Sequence, residues 1–125
     1  MFSVKFAKAE DFEVIEKIAN ESNLKKNLNF VEEIFMIARE DKPFGFISMK
    51  VENNNAVITN LAILSSYKEK GFENLMVRVM LNHALDMGLK NAFVNIPSYK
   101  DFFCKLGFEE KGDFQTIELK QFFGE

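Results

Sequence analysis

The stretch Leu61-Ala62-Ile63-Leu64-Ser65-Ser66-Tyr67-Lys68-Glu69-Lys70-Gly71-Phe72 runs an apolar strand into a helix through a short basic turn. Beyond it, Phe72, Leu75, Met76, Val79 and Met80 recur at intervals of three and four. Asn74, Arg78, Asn82 and Asp86 form a polar stripe spaced by four. This spacing predicts an amphipathic helix over Glu69–Met87, laid on a sheet and stopped by Gly88. The first amides of a helix have no partner within it, and the dipole is positive at that end. With Lys68, Lys70 and Gly71 gathered there, the turn reads as an anion cradle, and a phosphate-bearing ligand is the first expectation.

Working outward, Phe2, Val4 and Phe6 alternate with Ser3 and Lys5 as a half-buried strand does. Glu10 and Asp11 then open a helix that carries Phe12, Ile15, Ile18 and Ala19. Asn20 to Asn29 is a polar, Asn-rich loop with one helical turn expected around Leu24 to Leu28. Glu33–Glu40 and Phe44–Val51 are apolar strands reversed through Asp41-Lys42-Pro43. A second reversal at Asn53-Asn54-Asn55 leads into a strand over Ala56–Leu64, because Asn tolerates the left-handed backbone of a tight hairpin. After the long helix come a strand over Ala92–Ile96, ended by Pro97, and a short helix over Ser98–Lys105 capped at Leu106-Gly107. Strands over Phe108–Glu110 and Phe114–Lys120 flank the turn Lys111-Gly112-Asp113. The predicted order is βα(α)βββαβαββ: an α/β (α+β) domain with a mixed, mostly antiparallel sheet flanked by helices. The crossover from Ala56–Leu64 to Ala92–Ile96 makes those two strands parallel.

A chain of 125 residues is long enough for one core and too short for two ordinary ones, so residues 1–125 are expected to form one domain. With 47% apolar and 28% charged residues, the composition is globular rather than disordered. A net charge of -3 argues against a broad nucleic-acid surface, since phosphate backbones attract basic faces. The one cysteine, Cys104, cannot form an intramolecular disulfide; a reducing compartment and a buried thiol are expected. Met1 to Glu10 lacks the pattern of a secretory signal, and no apolar run approaches a membrane span, so a soluble, cytoplasmic protein with no membrane partner is expected. His83 has no Cys or His at ligand spacing, and no metal is expected.

The order and spacing of the Tyr67–Phe72 turn and of Phe102-Phe103-Cys104-Lys105-Leu106-Gly107-Phe108 resemble the Gcn5-related N-acetyltransferase (GNAT) family. That resemblance implies the acyl-CoA N-acyltransferase fold, in which two central strands splay apart and acetyl-CoA enters the gap as co-substrate. The family's pyrophosphate motif falls on Lys68, Glu69, Lys70, Gly71, Phe72 and Glu73. Lys68 stands where relatives carry Arg or Gln, and Glu73 where they carry Gly or Ala. The backbone of Leu61, Ala62, Ile63 and Leu64 is implied to hold the pantetheine arm and the thioester oxygen. Where many relatives place a Glu as base on this strand, the chain has Thr59 and Asn60, neither of which can take a proton. Deprotonation would then fall to water or to another carboxylate.

In the second motif Phe103 occupies the position of the tyrosine that protonates the departing thiolate. Tyr99, one helical turn earlier, offers a substitute phenol as general acid. Lys25, Lys26, Glu32 and Glu33 read as a solvated face. The function implied is transfer of acetyl from acetyl-CoA to an amine by direct attack, with a small molecule such as a polyamine, or a peptide, as acceptor. The alternative is a member of the same fold whose site has decayed, acting as a CoA-binding or protein-interaction module. Exposed sheet edges and Phe122-Phe123 leave a homodimer open.

Overall fold

A computed structural model describes residues 1–22, 24 and 28–124. Its elements in chain order are β1 (Ser3–Phe6), α1 (Phe12–Glu21), β2 (Ile34–Arg39), β3 (Pro43–Glu52), β4 (Asn55–Ile63), α2 (Phe72–Asp86), β5 (Asn91–Val94), α3 (Lys100–Lys105), β6 (Glu109–Lys111), β7 (Phe114–Glu118) and α4 (Leu119–Phe122). One seven-stranded sheet holds them in the order β1-β2-β3-β4-β5-β7-β6. All neighbours are antiparallel except β4 and β5, which are joined through α2 and run parallel. The mixed sheet with flanking helices is the one predicted. The helical turn expected at Leu24 to Leu28 lies largely outside the described residues.

Each sheet face buries its own core. Ile15, Ile18 and Ala19 of α1 pack on Phe35, Ile37, Phe46 and Ala62. On the other face Met76, Val77, Met80, Leu81 and Ala84 of α2 cover Met36, Ile47, Met49, Ile58, Leu61 and Ile63. The buried stripe of α2 is therefore rotated from the predicted one. Leu75 is 40% exposed while Val77 is buried, because the helix meets the sheet along its 76-77-80-81-84 row.

α2 also begins three residues later than expected. Glu69 (φ 64°) and Gly71 (φ 84°) are both left-handed, which no helix interior accepts. The hairpin at Asn53 and Asn54 has the left-handed backbone the asparagines suggested, at φ 49° and 65°. Glycine is required at position 45 of β3 for another reason: a Cβ there would lie 2.8 Å from the Ala62 carbonyl oxygen.

Two expectations about particular side chains change, and a third holds. Cys104 is exposed rather than buried, because Phe103 takes the inward position of the short α3 and turns its successor outward. Phe122 and Phe123 do not hang free: α4, which the sequence did not suggest, packs both against the core, and the Arg78 guanidinium lies 5.0 Å from the Phe122 ring centre. His83 lies at the core edge, half-buried and T-shaped against Phe6, with ring centres 4.7 Å apart.

Candidate active site

Parallel pairing between β4 and β5 covers only Asn55–Ile58 against Asn91–Val94. Beyond it β4 continues to Ile63, whereas the chain after Val94 turns away into a single 3-10 turn at Pro97–Tyr99. The second half of β4 thus has a strand neighbour on the β3 side alone. Leu64 N–H donates to the Phe44 carbonyl, so alternation along the strand turns the N–H and C=O groups of Leu61 and Ile63 to the open side. Ser22 at the end of α1 reaches one of them, its Oγ donating to the Ile63 carbonyl at 3.4 Å. The side chains of Leu61, Ala62 and Ile63 are buried, so whatever these residues offer a ligand is backbone.

The basic turn lies at the mouth of this opening and is pinned at both ends by aromatic packing. Tyr67 stacks on Phe44 (4.2 Å between centres), and Phe72 packs on Phe44 (4.9 Å) and Phe2 (4.6 Å). Between those anchors Lys68, Glu69, Lys70 and Gly71 are exposed, with the Lys70 ammonium 5.7 Å from the Tyr67 ring centre. Gly71 is the residue before α2 and has open space where a Cβ would stand. The first helical hydrogen bond is the weak one from Leu75 N–H to the Gly71 carbonyl, at 3.4 Å. The amides of Phe72, Glu73 and Asn74 precede it in the first turn.

Glu73 and Tyr99, from the two sides of the mouth, meet. The Tyr99 hydroxyl donates to Glu73 Oε2 at 2.9 Å, joining the start of α2 to the turn after β5. Burial pushes the Tyr99 phenol well above its ordinary range, and the Glu73 carboxylate, by charge and by the hydrogen bond, pushes it further. Tyr99 therefore carries its proton at any physiological pH, already committed to Glu73. Phe103 is fully buried and packs edge-on against Phe102 and Phe108, both at 5.1 Å.

The middle of β4 holds a group that the sequence left scattered. Ser48 of β3 pairs with Asn60 and Met49 with Ile58, so Thr59 is an extra residue, a bulge. The bulge turns Thr59 and Asn60 to the α1 face together, and Glu33, just before β2, meets them. The Thr59 hydroxyl donates to Glu33 Oε1 (2.5 Å); Asn60 Nδ2 donates to Ser48 Oγ (2.8 Å) and, more weakly, to Glu33 Oε1 (3.4 Å). With those donors assigned, the 2.8 Å Ser48–Thr59 contact runs from the Ser48 hydroxyl to Thr59. Glu33 is thus no member of a solvated face. The signals that mark this knot in sequence are Ser48 and Asn60, two polar residues inside apolar strands.

Among the described residues no group of three His, Cys, Asp or Glu side chains is placed to hold a metal ion, and no helix is long and apolar enough to cross a membrane.

A strand pair opening around a basic helix start defines the acyl-CoA transferase class of fold, and comparison with known proteins agrees. Residues 4–108 match the model of the Acetyltransferase (GNAT) family, and the chain belongs to that family. It is similar in structure to the PaiA N-acetyltransferase of Thermoplasma acidophilum, solved with coenzyme A (TM-score 0.78, 16% identity, 94% of this chain and 98% of that one). It is also similar to the ribosomal-protein-S18-alanine N-acetyltransferase of Escherichia coli (0.83, 12%, 95% and 94%). A third is the spermidine/spermine N-acetyltransferase SpeG of Vibrio cholerae (0.83, 11%, 98% and 96%). At such identities the likeness is one of fold. No curated protein sequence matches the chain significantly.

Proposed function

We propose that this protein is an acetyl-CoA-dependent N-acetyltransferase acting on an amine. The observation that carries the reading is the parting of β4 and β5, with unpaired strand backbone along one side and the pinned basic turn at its mouth. The chain's own residues fit acetyl-CoA there. Leu61 and Ile63 present backbone donors and acceptors suited to an amide-bearing arm, and the open space beside Gly71 admits a diphosphate to the first amides of α2. Lys68 and Lys70 add positive charge. Glu73 works against a diphosphate, but its carboxylate is engaged by Tyr99.

Bound acetyl-CoA would supply an acyl group activated as a thioester. The residues would do the rest: backbone N–H groups of β4 would hold the carbonyl oxygen as it gains charge, and the acceptor nitrogen would attack directly with no covalent enzyme intermediate. Tyr99 is the candidate acid toward the departing sulfur, acting once Glu73 releases its hydroxyl. The neighbours named for spermidine/spermine and for ribosomal-protein-S18 alanine support an amine acceptor as a class.

Calorimetry with acetyl-CoA, followed by release of free CoA thiol with a panel of amines, tests this. Saturable binding and amine-dependent thiol release are expected. No heat and no thermal stabilisation at millimolar acetyl-CoA would refute it, because a ligand of the native state must raise its stability. One observation favours the second reading, a binding or assembly module on the same fold: the Glu73–Tyr99 hydrogen bond ties the mouth across, and Phe103 is wholly committed to packing. Binding of acetyl-CoA with no thiol release for any amine would select that reading.

A further inference from the structure

Four polar side chains meet at the β4 bulge on a face otherwise lined by Phe35, Ile37, Phe46 and Ala62. Ser48 is fully buried and Asn60 is 3% exposed, so their polar atoms have left water and need partners. All but one find them. Asn60 Oδ1 is buried with no hydrogen bond from any described residue. Turning the amide over would not help: it would set an oxygen against the Glu33 carboxylate and leave the amide nitrogen unpaired instead.

Since Asn60 Nδ2 lies 3.4 Å from Glu33 Oε1 and shares its carbon with Oδ1, the unpaired oxygen lies within about 6 Å of the carboxylate. A half-buried anion and a neutral acceptor so close, both seeking donors, are complementary to a group that has several donors, a positive charge and no acceptor. That is a primary ammonium. The knot also has a direction. Hydrogen bonds run from Asn60 to Ser48, from Ser48 to Thr59 and from Thr59 to Glu33, so the neutral residues of the strand fix the orientation of the carboxylate brought from outside it.

We propose that Glu33 and Asn60 anchor the primary ammonium of the acceptor, that Glu33 takes its proton, and that Thr59 and Ser48 are positioning residues. This rests on the transferase reading above. It moves the base from the strand, where Thr59 and Asn60 cannot titrate, to the residue preceding β2. In the step, an N–H bond breaks and an O–H bond forms on Glu33. The freed nitrogen pair attacks the thioester carbonyl carbon, the C–S bond breaks with its electrons on sulfur, and a second N–H bond of the same nitrogen breaks to give the proton that the sulfur takes. The products are a neutral amide and a free thiol, and Glu33 returns its proton to solvent. Among the described residues, the other charges near Glu33 are the adjacent Glu32 and Lys50 of β3, whose ammonium is held by Glu52 at 3.0 Å, while β4 faces Glu33 with neutral groups.

The probe is n-butylammonium chloride at neutral pH, read by the 15N resonance of the Asn60 side-chain amide, in the natural protein and in Glu33→Gln and Glu33→Asp. A saturable shift is expected, with affinity reduced about tenfold or more in Glu33→Gln and partly restored in Glu33→Asp. Acetyl-CoA affinity measured on the same samples should stay within about twofold, as no CoA contact is removed. Transfer to butylamine near neutral pH should fall by about a hundredfold or more in Glu33→Gln. Its rate should then climb about tenfold per pH unit, as free amine is drawn from solution. A silent Asn60 amide, or butylammonium affinity and pH profile unchanged in Glu33→Gln, would overturn the proposal. Butylammonium binding that depends on Glu33 in a protein that fails to bind acetyl-CoA would uphold the anchor and refute the transferase instead.

Discussion

Replacing Glu73 by Gln removes a negative charge from the first turn of α2 while keeping the side chain's size and its capacity to accept from Tyr99. If a diphosphate is held by the amides of that turn, the carboxylate stands roughly 5 Å from a phosphate. Two unit charges at that separation repel by about 0.8 kcal/mol in water and about 3 kcal/mol at an effective dielectric of 20. Glu73 is half-buried and already drawn toward the Tyr99 hydroxyl, which places the repulsion in the lower part of that span, about 1 to 2 kcal/mol. Glu73→Gln should therefore bind acetyl-CoA about fivefold to thirtyfold more tightly by calorimetry, and the gain should shrink as salt is raised. Tyr99→Phe supplies the control. Freeing the carboxylate from its donor should weaken acetyl-CoA binding in the natural background and have no effect once residue 73 is Gln, so the two substitutions should not add. Equal affinity of Glu73→Gln and the natural protein at low salt would mean that no phosphate sits at the start of α2. The cofactor placement would then fall.

Two further outcomes concern Tyr99 and Gly45. The phenol of Tyr99 is raised above its ordinary range by burial and by Glu73, so its contribution to stability is fully present below about pH 10 and lost as pH climbs through the folded-state value. Thermal melts from pH 9 to 12 should show a decline in the natural protein that is reduced in Tyr99→Phe; identical declines would contradict the assignment. Gly45→Ala should destabilise the fold by about 1 to 3 kcal/mol in urea titrations, because the new methyl meets the Ala62 carbonyl and the Met76 side chain with no flexible backbone to yield. A neutral result would show that β3 and β4 can shift apart there.

Much of the fold could be read along the chain because its signals are local. The Asn53-Asn54 reversal, the apolar run of Phe44–Val51 and the three-and-four spacing of α2 each report a backbone preference that needs no distant partner. Where the reading slipped, a tertiary contact had decided. The sheet chose which row of α2 to bury, exposing Leu75; the inward turn of Phe103 left Cys104 outside; and the docking of α4 on the core covered Phe122 and Phe123.

The sequence by itself determined the order of strands and helices, the basic turn before α2 and the absence of a titratable group at Thr59 and Asn60. Periodicity, turn chemistry and side-chain identity are properties of neighbouring residues. Only the tertiary structure decided that the Tyr99 hydroxyl donates a hydrogen bond to Glu73 and that Glu33 closes on Thr59 and Asn60, pairs 26 and 26 to 27 residues apart in the chain. No local rule links residues at such separations; the sheet does so, by laying β2, β3 and β4 side by side and letting one bulge turn two consecutive side chains toward the same carboxylate.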